Sequence, residues 1–543
     1  MLRPEVVKQL ECPSVGLATS WAIGRKSVPC DSLQAVRADF SRKYWPFPKG
    51  AIAKSNGKAT GLREQGNAAY KQAPNDPDRT LQLYNQSICM AEEGSKELGL
   101  GYANRSAIYF NRKQYRECLE NIDLARRHNY PEELMKKLND REKRSKQMME
   151  GLNDPSRGDD NNTRHCSIKS CLELSADGKG IRTKRDLSVG EKVLLEKPFL
   201  LVVEPEWAYQ RCDYCGARNA LNLLPCSGCT AVMYCSVECR EQSYQRYHQF
   251  ECEIVDDLQL LFRGPKATRM FHVTLRLFWH AVLLFLEDPE GFGRRIKNAD
   301  EQAAYRNPFA LEPTDYVLHL HAVCPEEIPR PDDPSGRTGR CVSQLMSVLM
   351  YVLAVEENVS VASRLQGTGA AETLLSVLFR FTHHTGRLMD EKMDEQMTCF
   401  YPFARLLRHS CAPNAERVMH GVQTVVVLKR PVARGQEITV ANDEKLTIDR
   451  ASKAKREEIR NKYEAVQLPP CDCEACKFDY PELAALEGDE KLAQQLQAIQ
   501  NEQDEGVKQQ ALVDFMQRHA AAYPKRELAD AWKLYRPYVT KDL

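Results

Sequence analysis

The sequence predicts an α+β fold in which helical regions at both ends flank a β-rich core that is interrupted by a cysteine-rich insert. The first observation is helical periodicity from about residue 58 to 149 and again over 480–523. The second is strand character at 178–205 and 422–440, where β-branched residues gather around turns. The third is a dense cysteine cluster at 212–252, between the two strand regions.

The bulk composition is that of a soluble globular protein. The chain has 543 residues, enough for about three domains, and 42% of them are hydrophobic and 28% charged. Because 76 Lys and Arg balance 75 Asp and Glu, the net charge of +1 provides no general attraction to nucleic acid or to an anionic membrane. We therefore expect no direct nucleic-acid partner, and a zinc protein that binds nucleic acid is a weak alternative.

We also expect no membrane attachment. The opening residues MLRPEVVKQLECPS lack the apolar core of a signal peptide. The most apolar run, VTLRLFWHAVLLFL (273–286), is shorter than the ~20 residues of a membrane span and contains Arg276 and His280. This run predicts a buried helix.

The N-terminal third has the pattern of helical hairpins. Residues 1–57 show no clear periodicity, but the segments LREQGNAAYK, LQLYNQSICMAEE and YANRSAIYFNRKQYRECLENIDLARRH then alternate small and large residues. Two units repeat at about 40 positions, with Asn67 and Asn104 as markers, which is longer than the usual ~34-residue tetratricopeptide (TPR) period. We favour TPR-like repeats over a generic helical bundle. The polar stretch EGLNDPSRGDDNNTR that follows predicts a linker.

A ladder of metal-binding residue types occupies 212–252 with the spacing C-x2-C, C-x2-C, C-x3-C and H-x3-C. Eight such ligands form two tetrahedral sites with no open position, which is typical of structural rather than catalytic zinc. A segment of about 40 residues is too small to fold on its own core, so metal binding supplies folding free energy. The spacing disfavours the alternative of scattered buried thiols. The ligands are Cys212, Cys215, Cys226, Cys229, Cys235, Cys239, His248 and Cys252.

The segment RLLRHSCAPNA places His409, Ser410 and Cys411 side by side, which raises the question whether they are a catalytic nucleophile and its base. A second cysteine group indicates a different role for Cys411. Adjacent residues rarely form a nucleophile and its base, because such groups normally meet from distant parts of a chain. CDCEAC supplies three thiols without a fourth, and Cys411 completes the set as a zinc ligand with Cys471, Cys473 and Cys476. The remaining nine cysteines lack metal spacing and are expected to be buried small hydrophobes. They are Cys12, Cys30, Cys89, Cys118, Cys166, Cys171, Cys324, Cys341 and Cys399.

These motifs together resemble the SET-and-MYND family of protein-lysine methyltransferases, and the helical repeats resemble its TPR-bearing fourth subfamily. The ladder resembles a MYND finger, whose interleaved arrangement implies that Cys212, Cys215, Cys235 and Cys239 share one ion. The other four ligands then share the second. The turn Gly178-Lys179-Gly180, the segment HSCAPN and the C-x-C-x2-C cap resemble a split SET domain into which the finger is inserted.

The resemblance implies a split SET β-fold with an inserted finger and a helical insert, flanked by N-terminal TPR helices and a short C-terminal helical region. The implied domains are an N-terminal segment (1–57), TPR-like repeats (58–149), a linker (150–165), the first SET part (166–211), the MYND finger (212–252), a helical insert (253–397), the SET core (398–445), a post-SET segment (446–478) and C-terminal helices (479–543).

By the same resemblance, a SET domain transfers a methyl group from S-adenosylmethionine to a lysine amine. The amine must first lose its proton, since its ordinary pKa is ~10.4, and alignment in a dry channel then provides most of the rate. Tyr401 also stands where the family places a tyrosine, and Tyr463 resembles the family's second tyrosine. The implied cofactor-binding positions are Lys179, Gly180, Ile181, Phe379, Arg408, His409 and Tyr463, and the implied catalytic positions are Tyr463 and Asn442.

Three of these positions depart from the family pattern. Arg408 and Phe379 stand where the family has asparagines, and Asn442 stands where it has a tyrosine at a strand end. Loss of one well-placed polar group commonly lowers a rate by ~10²–10³, and Arg408 would set a cation near the sulfonium. We predict impaired catalysis in a partner-binding co-regulator. The alternatives are that Arg408 points to solvent while a nearby tyrosine substitutes, and that the protein is an active lysine methyltransferase.

The expected partners are proteins. The resemblance implies that the finger mainly binds proteins, often through proline-rich peptides, with co-repressors among the expected partners. In the repeats, Arg63, Asn67, Asn104, Lys137 and Arg141 resemble the clamp that holds chaperone C-terminal peptides through two carboxylates, although a solvated charged face is the alternative. The resemblance further implies three structural zinc ions, binding of S-adenosylmethionine as an open question, a monomer, and a location in cytoplasm and nucleus.

Overall fold

A computed structural model describes residues 53–75, 77–150, 167–168, 171–178, 180–218, 222–255, 258, 266–312, 315–324, 350, 354, 358–383, 396–441, 444–462 and 471–541. Three predicted site residues, Lys179, Asn442 and Tyr463, lie outside this described part, as do residues 1–52 and nearly all of the predicted linker. Four of the nine isolated cysteines also lie outside it: Cys12, Cys30, Cys166 and Cys341.

Five helices are described between residues 53 and 150, and successive ones pack against each other. Two of them begin at serine caps, since Ser55 and Ser95 each accept a hydrogen bond from a backbone N–H in the first turn. Gly66 is required where the first two helices cross, because a Cβ there would lie 2.6 Å from Cε1 of Tyr84. The helices are α1 (Asn56–Gln72), α2 (Asp78–Met90), α3 (Lys96–Asn111), α4 (Tyr115–Arg127) and α5 (Met135–Glu150). Their assignment to TPR repeats stays a prediction.

Two four-stranded sheets form the β core, with the strand orders β1-β4-β11-β10 and β2-β3-β12-β9. All neighbours in these sheets are antiparallel except β9 and β12, which run parallel. The strands are β1 (Ser167–Ile168), β2 (Leu172–Leu174), β3 (Ile181–Thr183), β4 (Lys192–Glu196), β5 (Leu200–Val203), β6 (Leu224–Pro225), β7 (Met233–Tyr234), β8 (Met397–Phe400), β9 (Arg408–His409), β10 (Ala415–His420), β11 (Gln423–Leu428) and β12 (Glu437–Val440). Each sheet therefore joins strands from before the cysteine-rich insert to strands from after it.

The cysteine-rich insert contains the β6–β7 hairpin and one short helix, α6 (Val237–Ser243), which continues through a π-helical turn at Tyr244–His248. Such turns frequently occur at functional sites, and this one carries a predicted metal ligand, His248. The hairpin and its neighbours are buried, with Leu223, Met233 and Tyr234 inaccessible to solvent.

Helices between the finger and β8 form the largest apolar core. Trp279, Phe278 and Phe285 of α7 are fully buried there. Segment Met270–Glu287 is long and apolar enough to cross a membrane, but 67% of it is buried inside the protein, which is typical of a core helix. These helices are α7 (Lys266–Glu287), α8 (Phe292–Glu301), α9 (Tyr316–Val323), α10 (Val359–Leu365) and α11 (Ala370–His383).

The C-terminal helices close one face of the first sheet. Val418 of β10 and Val427 of β11 share a core with Leu512 and Trp532. The Trp532 indole N–H donates to the Glu416 carboxylate of β10, which fixes the last helix on the sheet. A separate helix, α12 (Lys453–Lys462), precedes them, and the C-terminal helices are α13 (Glu490–Gln500), α14 (Glu505–Arg518) and α15 (Arg526–Lys541).

Candidate functional site

The eight ligands of the cysteine-rich insert come together in two interleaved sets, as the family resemblance implied. One set is Cys212, Cys215, Cys235 and Cys239, the other is Cys226, Cys229, His248 and Cys252, and the donor atoms of each set lie within 4.8 Å of one another. Sulfur–sulfur distances of 3.4–3.8 Å within them are close to the edge of roughly 3.8 Å for a tetrahedron with Zn–S bonds of ~2.3 Å. The described residues therefore fit two tetrahedral ions of the zinc type.

Local sequence places these ligands. Ser236 caps helix α6 by accepting a hydrogen bond from the N–H of Cys239 at 3.2 Å, so the cap orients a ligand directly. The π-helical turn brings Nε2 of His248 to 3.2 Å from Sγ of Cys226 and 3.6 Å from Sγ of Cys229. Because all four donors in each set are protein atoms, neither set has an open position for a reacting water.

The third set joins Cys411 to Cys471, Cys473 and Cys476, and its donor atoms also lie within 4.8 Å of one another. Cys411 is buried, its N–H donates to Sγ of Cys473 at 3.3 Å, and its own sulfur lies 3.6 Å from Sγ of Cys476. The hydrogen bond from the Cys411 thiol lowers the pKa of Cys473 to about 4, which favours the thiolate that a metal requires.

Asn414, to which the sequence assigned no role, holds the HSCAPN segment in place. The Asn414 side chain donates to the carbonyl of Glu437 at 2.8 Å and accepts from the N–H of Thr439 at 2.8 Å. This amide thereby fastens the HSCAPN segment to β12. Its position in the motif was the available signal, since asparagine side chains can pair with both groups of a peptide backbone.

The glycine turn at the start of the SET part faces a compact group of charges. An ideal Cβ on Gly180 would lie 3.0 Å from Cδ of Arg408 and 3.2 Å from Oε1 of Glu437. Nη1 of Arg408 lies 3.2 Å from both oxygens of Glu437 and 3.6 Å from Oδ2 of Asp177, and Arg182 reaches Glu437 at 3.6 Å. We call Asp177, Arg182, Arg408 and Glu437 the turn cluster.

The turn cluster changes the electrostatic interpretation of Arg408. Partial burial opposes its charge, but Glu437 and Asp177 together raise the pKa of its guanidinium above the ordinary value. The side chain is 37% exposed, so it neither stands alone beside a cofactor nor extends fully into solvent. Neither sequence-based alternative for Arg408 anticipated this pairing.

The other predicted SET-site residues in the described part of the chain do not form one cluster. Nε2 of His409 lies 3.5 Å from Sγ of Cys411, so its imidazole contacts one member of the third cysteine set. Tyr401 is buried and its hydroxyl donates to the carbonyl of Val422 at 2.9 Å. Ile181 is buried in the strand core and Phe379 is half-buried on α11.

The helical repeats bring several of the predicted clamp residues together. Oδ1 of Asn67 accepts hydrogen bonds from Nδ2 of Asn104 and from the hydroxyl of Tyr84, both at 2.8 Å. Arg63 is close enough to Tyr84 for its charge to lower the tyrosine's pKa, although burial raises that pKa overall. Arg63 has its Nε buried without a hydrogen-bond partner. We call Arg63, Asn67, Tyr84 and Asn104 the repeat groove.

The two predicted clamp residues on α5, Lys137 and Arg141, differ in their exposure and contacts. Lys137 is exposed, whereas Nη1 of Arg141 donates to the carbonyl of Ala103 at 3.0 Å and to the hydroxyl of Ser106 at 2.8 Å. Burial lowers the pKa of Arg141. Arg141 therefore holds α5 against α3.

One buried ion cluster was not predicted at all. Arg276 is 1% exposed and its guanidinium contacts Asp213 of the finger at 3.0 Å and Glu251 at 2.9 Å. Its Nη1 also donates to the carbonyl of Leu201 in β5. This side chain fastens the finger, the SET part and helix α7 to one another.

Comparison with known proteins identifies the finger and several relatives of the chain. Residues 212–252 match the MYND finger family. The chain is 27% identical over 237 residues to the protein-lysine N-methyltransferase SMYD4 of Danio rerio, covering 39% of this chain and 31% of that protein. It is 23% identical over 510 residues to the SMYD4 of Gallus gallus, covering 70% and 66%. It is 23% identical over 327 residues to the histone-lysine N-methyltransferase ASHR1 of Arabidopsis thaliana, covering 59% and 58%.

The finger and these relatives indicate the class of protein. The chain contains a MYND finger and is similar, at 23–27% identity, to protein-lysine methyltransferases, which supports a place in the SET-and-MYND family. Its alignments span from about a third to two thirds of the lengths of the relatives just described.

Proposed function

We propose that this protein is a SET-and-MYND family member in which methyl transfer is impaired and whose main function is to bind protein partners as a co-regulator. The observation that carries the proposal is the turn cluster. At the position where the resemblance implies an asparagine, Arg408 lies across Gly180 and is held by two carboxylates.

The turn cluster supports impaired methyl transfer because its side chains occupy the space beside Gly180. Repulsion between Arg408 and the positive charge of the cofactor is not the main reason. A cofactor sulfonium beside an unpaired arginine would meet a repulsion of about 4 kcal/mol at ~4 Å and an effective dielectric of ~20. Glu437 and Asp177 largely cancel that repulsion. However, the Arg408 stem and the Glu437 carboxylate lie only 3.0 and 3.2 Å from the position that a Cβ on Gly180 would take, so this side of the turn is crowded. We propose that this crowding weakens binding of S-adenosylmethionine at the turn.

Partner binding is supported by the repeat groove. Two amides and one tyrosine hydroxyl are hydrogen-bonded to one another, with the charge of Arg63 beside them and exposed Lys137 on α5. Cations and amides in one groove suit a peptide that ends in a carboxylate and carries an acidic side chain. We propose chaperone C-terminal peptides as its ligands.

The finger offers a second, smaller surface. Val237 and Tyr244 lie two helical turns apart on α6 and its extension and are 42% and 56% exposed. An extended proline-rich peptide, such as one from a co-repressor, could pack on such an apolar strip. The three cysteine sets would serve these surfaces as three structural zinc sites, because none has an open coordination position.

The test is calorimetric binding of S-adenosylmethionine to the wild-type protein, to Arg408→Asn and to Arg182→Asn. Arg182→Asn is the matched control, because it removes an arginine from the same cluster and leaves the Arg408 stem over Gly180. We expect binding to strengthen in Arg408→Asn alone. Tight binding by the wild-type protein together with robust lysine methylation would show instead an active methyltransferase.

A further inference from the structure

Neighbouring residues of the same two helices contact the repeat groove and the finger region. On α3, Asn104 faces the groove, while its neighbour Arg105, about 100° around the axis, is fully buried and donates from Nη1 to the carbonyl of Leu223 in the finger at 2.8 Å. On α2, Tyr84 faces the groove, while its neighbour Asn85 donates to the carbonyl of Tyr209, three residues before the finger, at 2.8 Å.

The hydrogen bond from α2 to the finger reaches a carbonyl that is also hydrogen-bonded to Cys226, one of the predicted metal ligands. The carbonyl of Val232 accepts a hydrogen bond from the thiol of Cys89 on α2 at 3.6 Å and also from the N–H of Cys226 at 3.3 Å. Leu223, whose carbonyl receives Arg105, stands three residues before Cys226. The acceptors that hold both helices are therefore positioned by the loop that carries one ligand set.

Apolar burial makes the attachment extensive. Ile88 and Tyr102 of the repeats share one core with Leu223, Met233 and Cys212 of the finger, and all five are at most 2% exposed. The hairpin face of the finger is thus covered by the chain's own repeats, so a finger-binding peptide would have to use the α6 side.

Arg105 makes the attachment sensitive to the state of the finger. It is fully buried, burial lowers its pKa, and its described hydrogen bonds go to Asn85, Asn121 and the Leu223 carbonyl, none of them charged. A buried cation that loses an acceptor is strongly destabilised. Since a finger of about 40 residues folds only with its metal, loss of metal removes that acceptor from a helix that also carries Asn104.

We infer that metal loading of the Cys226–Cys229–His248–Cys252 set controls the affinity of the repeat groove for acidic C-terminal peptides. This inference rests on the proposed peptide binding, which it extends from a docking site to a metal-responsive one. Loss of the ion would loosen α2 and α3, displace Tyr84 and Asn104, and weaken peptide binding without any contact between metal and peptide.

The experiment uses the full chain and a labelled peptide ending in Glu-Glu-Val-Asp with a terminal carboxylate, followed by fluorescence anisotropy. His248→Ala removes a ligand from the finger set, and Cys473→Ser is the matched control that removes a ligand from the remote post-SET set. We expect His248→Ala to weaken binding about tenfold or more, within the usual range of coupling between sites. Cys473→Ser should bind as the wild-type protein does.

A second measurement does not depend on the peptide. Hydrogen exchange in α2 and α3 should accelerate in His248→Ala, and in wild-type protein treated with a zinc chelator, and zinc should restore protection to the chelated protein. Unchanged exchange in these helices, with full metal loss from the finger, would overturn the inference. If the wild-type protein binds no peptide, the proposed ligand is wrong, and the exchange data alone decide whether the finger controls the groove.

Discussion

The guanidinium of Arg408 lies 3.2 Å from both carboxylate oxygens of Glu437 and lies across Gly180. The parallel pairing of β9 with β12 sets this contact, because it places Arg408 beside Thr439 and two residues from Glu437. Arg408 is thus paired within the fold, and replacing it is the first step in testing whether the glycine turn can bind a cofactor.

Three substitutions toward the family pattern should restore methyl transfer. We expect Arg408→Asn and Phe379→Asn to improve cofactor binding and Asn442→Tyr to improve the chemical step, so their effects fall on different kinetic parameters. The triple variant should exceed the wild-type rate by about 10²-fold or more. Asn442→Tyr alone should help little, because the cofactor would still bind poorly. Radiolabelled methyl transfer to a panel of histone and non-histone proteins measures this, and equal rates for wild-type and triple variant would refute the assignment.

Purified protein should contain three zinc ions per chain. Twelve ligands lie in three sets of four, and each set has the spacing of a tetrahedral site. Cys473→Ser should reduce the count to two while leaving both finger ions in place. Elemental analysis after gel filtration gives the number, and two or fewer ions in the wild-type protein would remove Cys411 from the metal ligands.

Lys137→Ala should weaken binding of the acidic C-terminal peptide while leaving folding stability unchanged, because this lysine is exposed. Lys136→Ala is the control on the same helix, exposed but about 100° away around the axis. Arg141→Ala should reduce both affinity and stability, since it also removes hydrogen bonds to Ala103 and Ser106. Unchanged affinity in the double variant Lys137→Ala, Arg141→Ala would exclude the clamp.

Arg276→Ala should destabilise the protein by about 3–5 kcal/mol, because it leaves the carboxylates of Asp213 and Glu251 buried without their cation. Arg295→Ala is the matched control, since its ion pair with Glu287 lies at the surface and should contribute about 1 kcal/mol or less. Urea unfolding of both variants tests the difference. Similar midpoints for the two would mean that the buried cluster relaxes when Arg276 is removed.

Glu196 should make stability depend on pH in the acidic to neutral range. Burial raises its pKa to about 7 from the ordinary 4.5, even though the N–H groups of Phe403 and Ala404 donate to it at 2.9 and 2.8 Å. The folded chain then holds a proton that the unfolded chain has released, so stability falls as pH rises from about 4.5 to about 7, by up to about 3 kcal/mol. Glu196→Gln should reduce the change of unfolding free energy with pH, which unfolding curves recorded at several pH values measure. An unchanged slope would assign the pH dependence to other groups.

The three sets of candidate metal ligands could be predicted from the sequence because their spacing is mostly local and their side chains have few other reasons to cluster. Cys411 could be matched to a group 60 residues away only because three thiols need a fourth. The helices and strands followed from periodicity for the same local reason.

Other features depend on how distant parts of the chain meet. Nothing around Glu437 indicates that it faces Arg408, since the parallel register of β9 and β12 decides that contact. Arg105 and Arg276 belong to no sequence motif. Their roles arise because distant regions of the chain pack against them and bury them. Likewise, Arg141 matched a predicted clamp position, but its hydrogen bonds within the repeats could not be predicted from the sequence.

The pairing of β4 with β11 has a consequence for how the chain is synthesised and divided. Residues 192–196 leave the ribosome long before their partners at 423–428, with the finger and the helical insert between them. Until synthesis of β11 is complete, the edge of β4 can pair with other chains, which is a hazard of open strand edges. Fragments that end within the insert should therefore aggregate, whereas two fragments cut there and produced together should reassemble around this shared sheet.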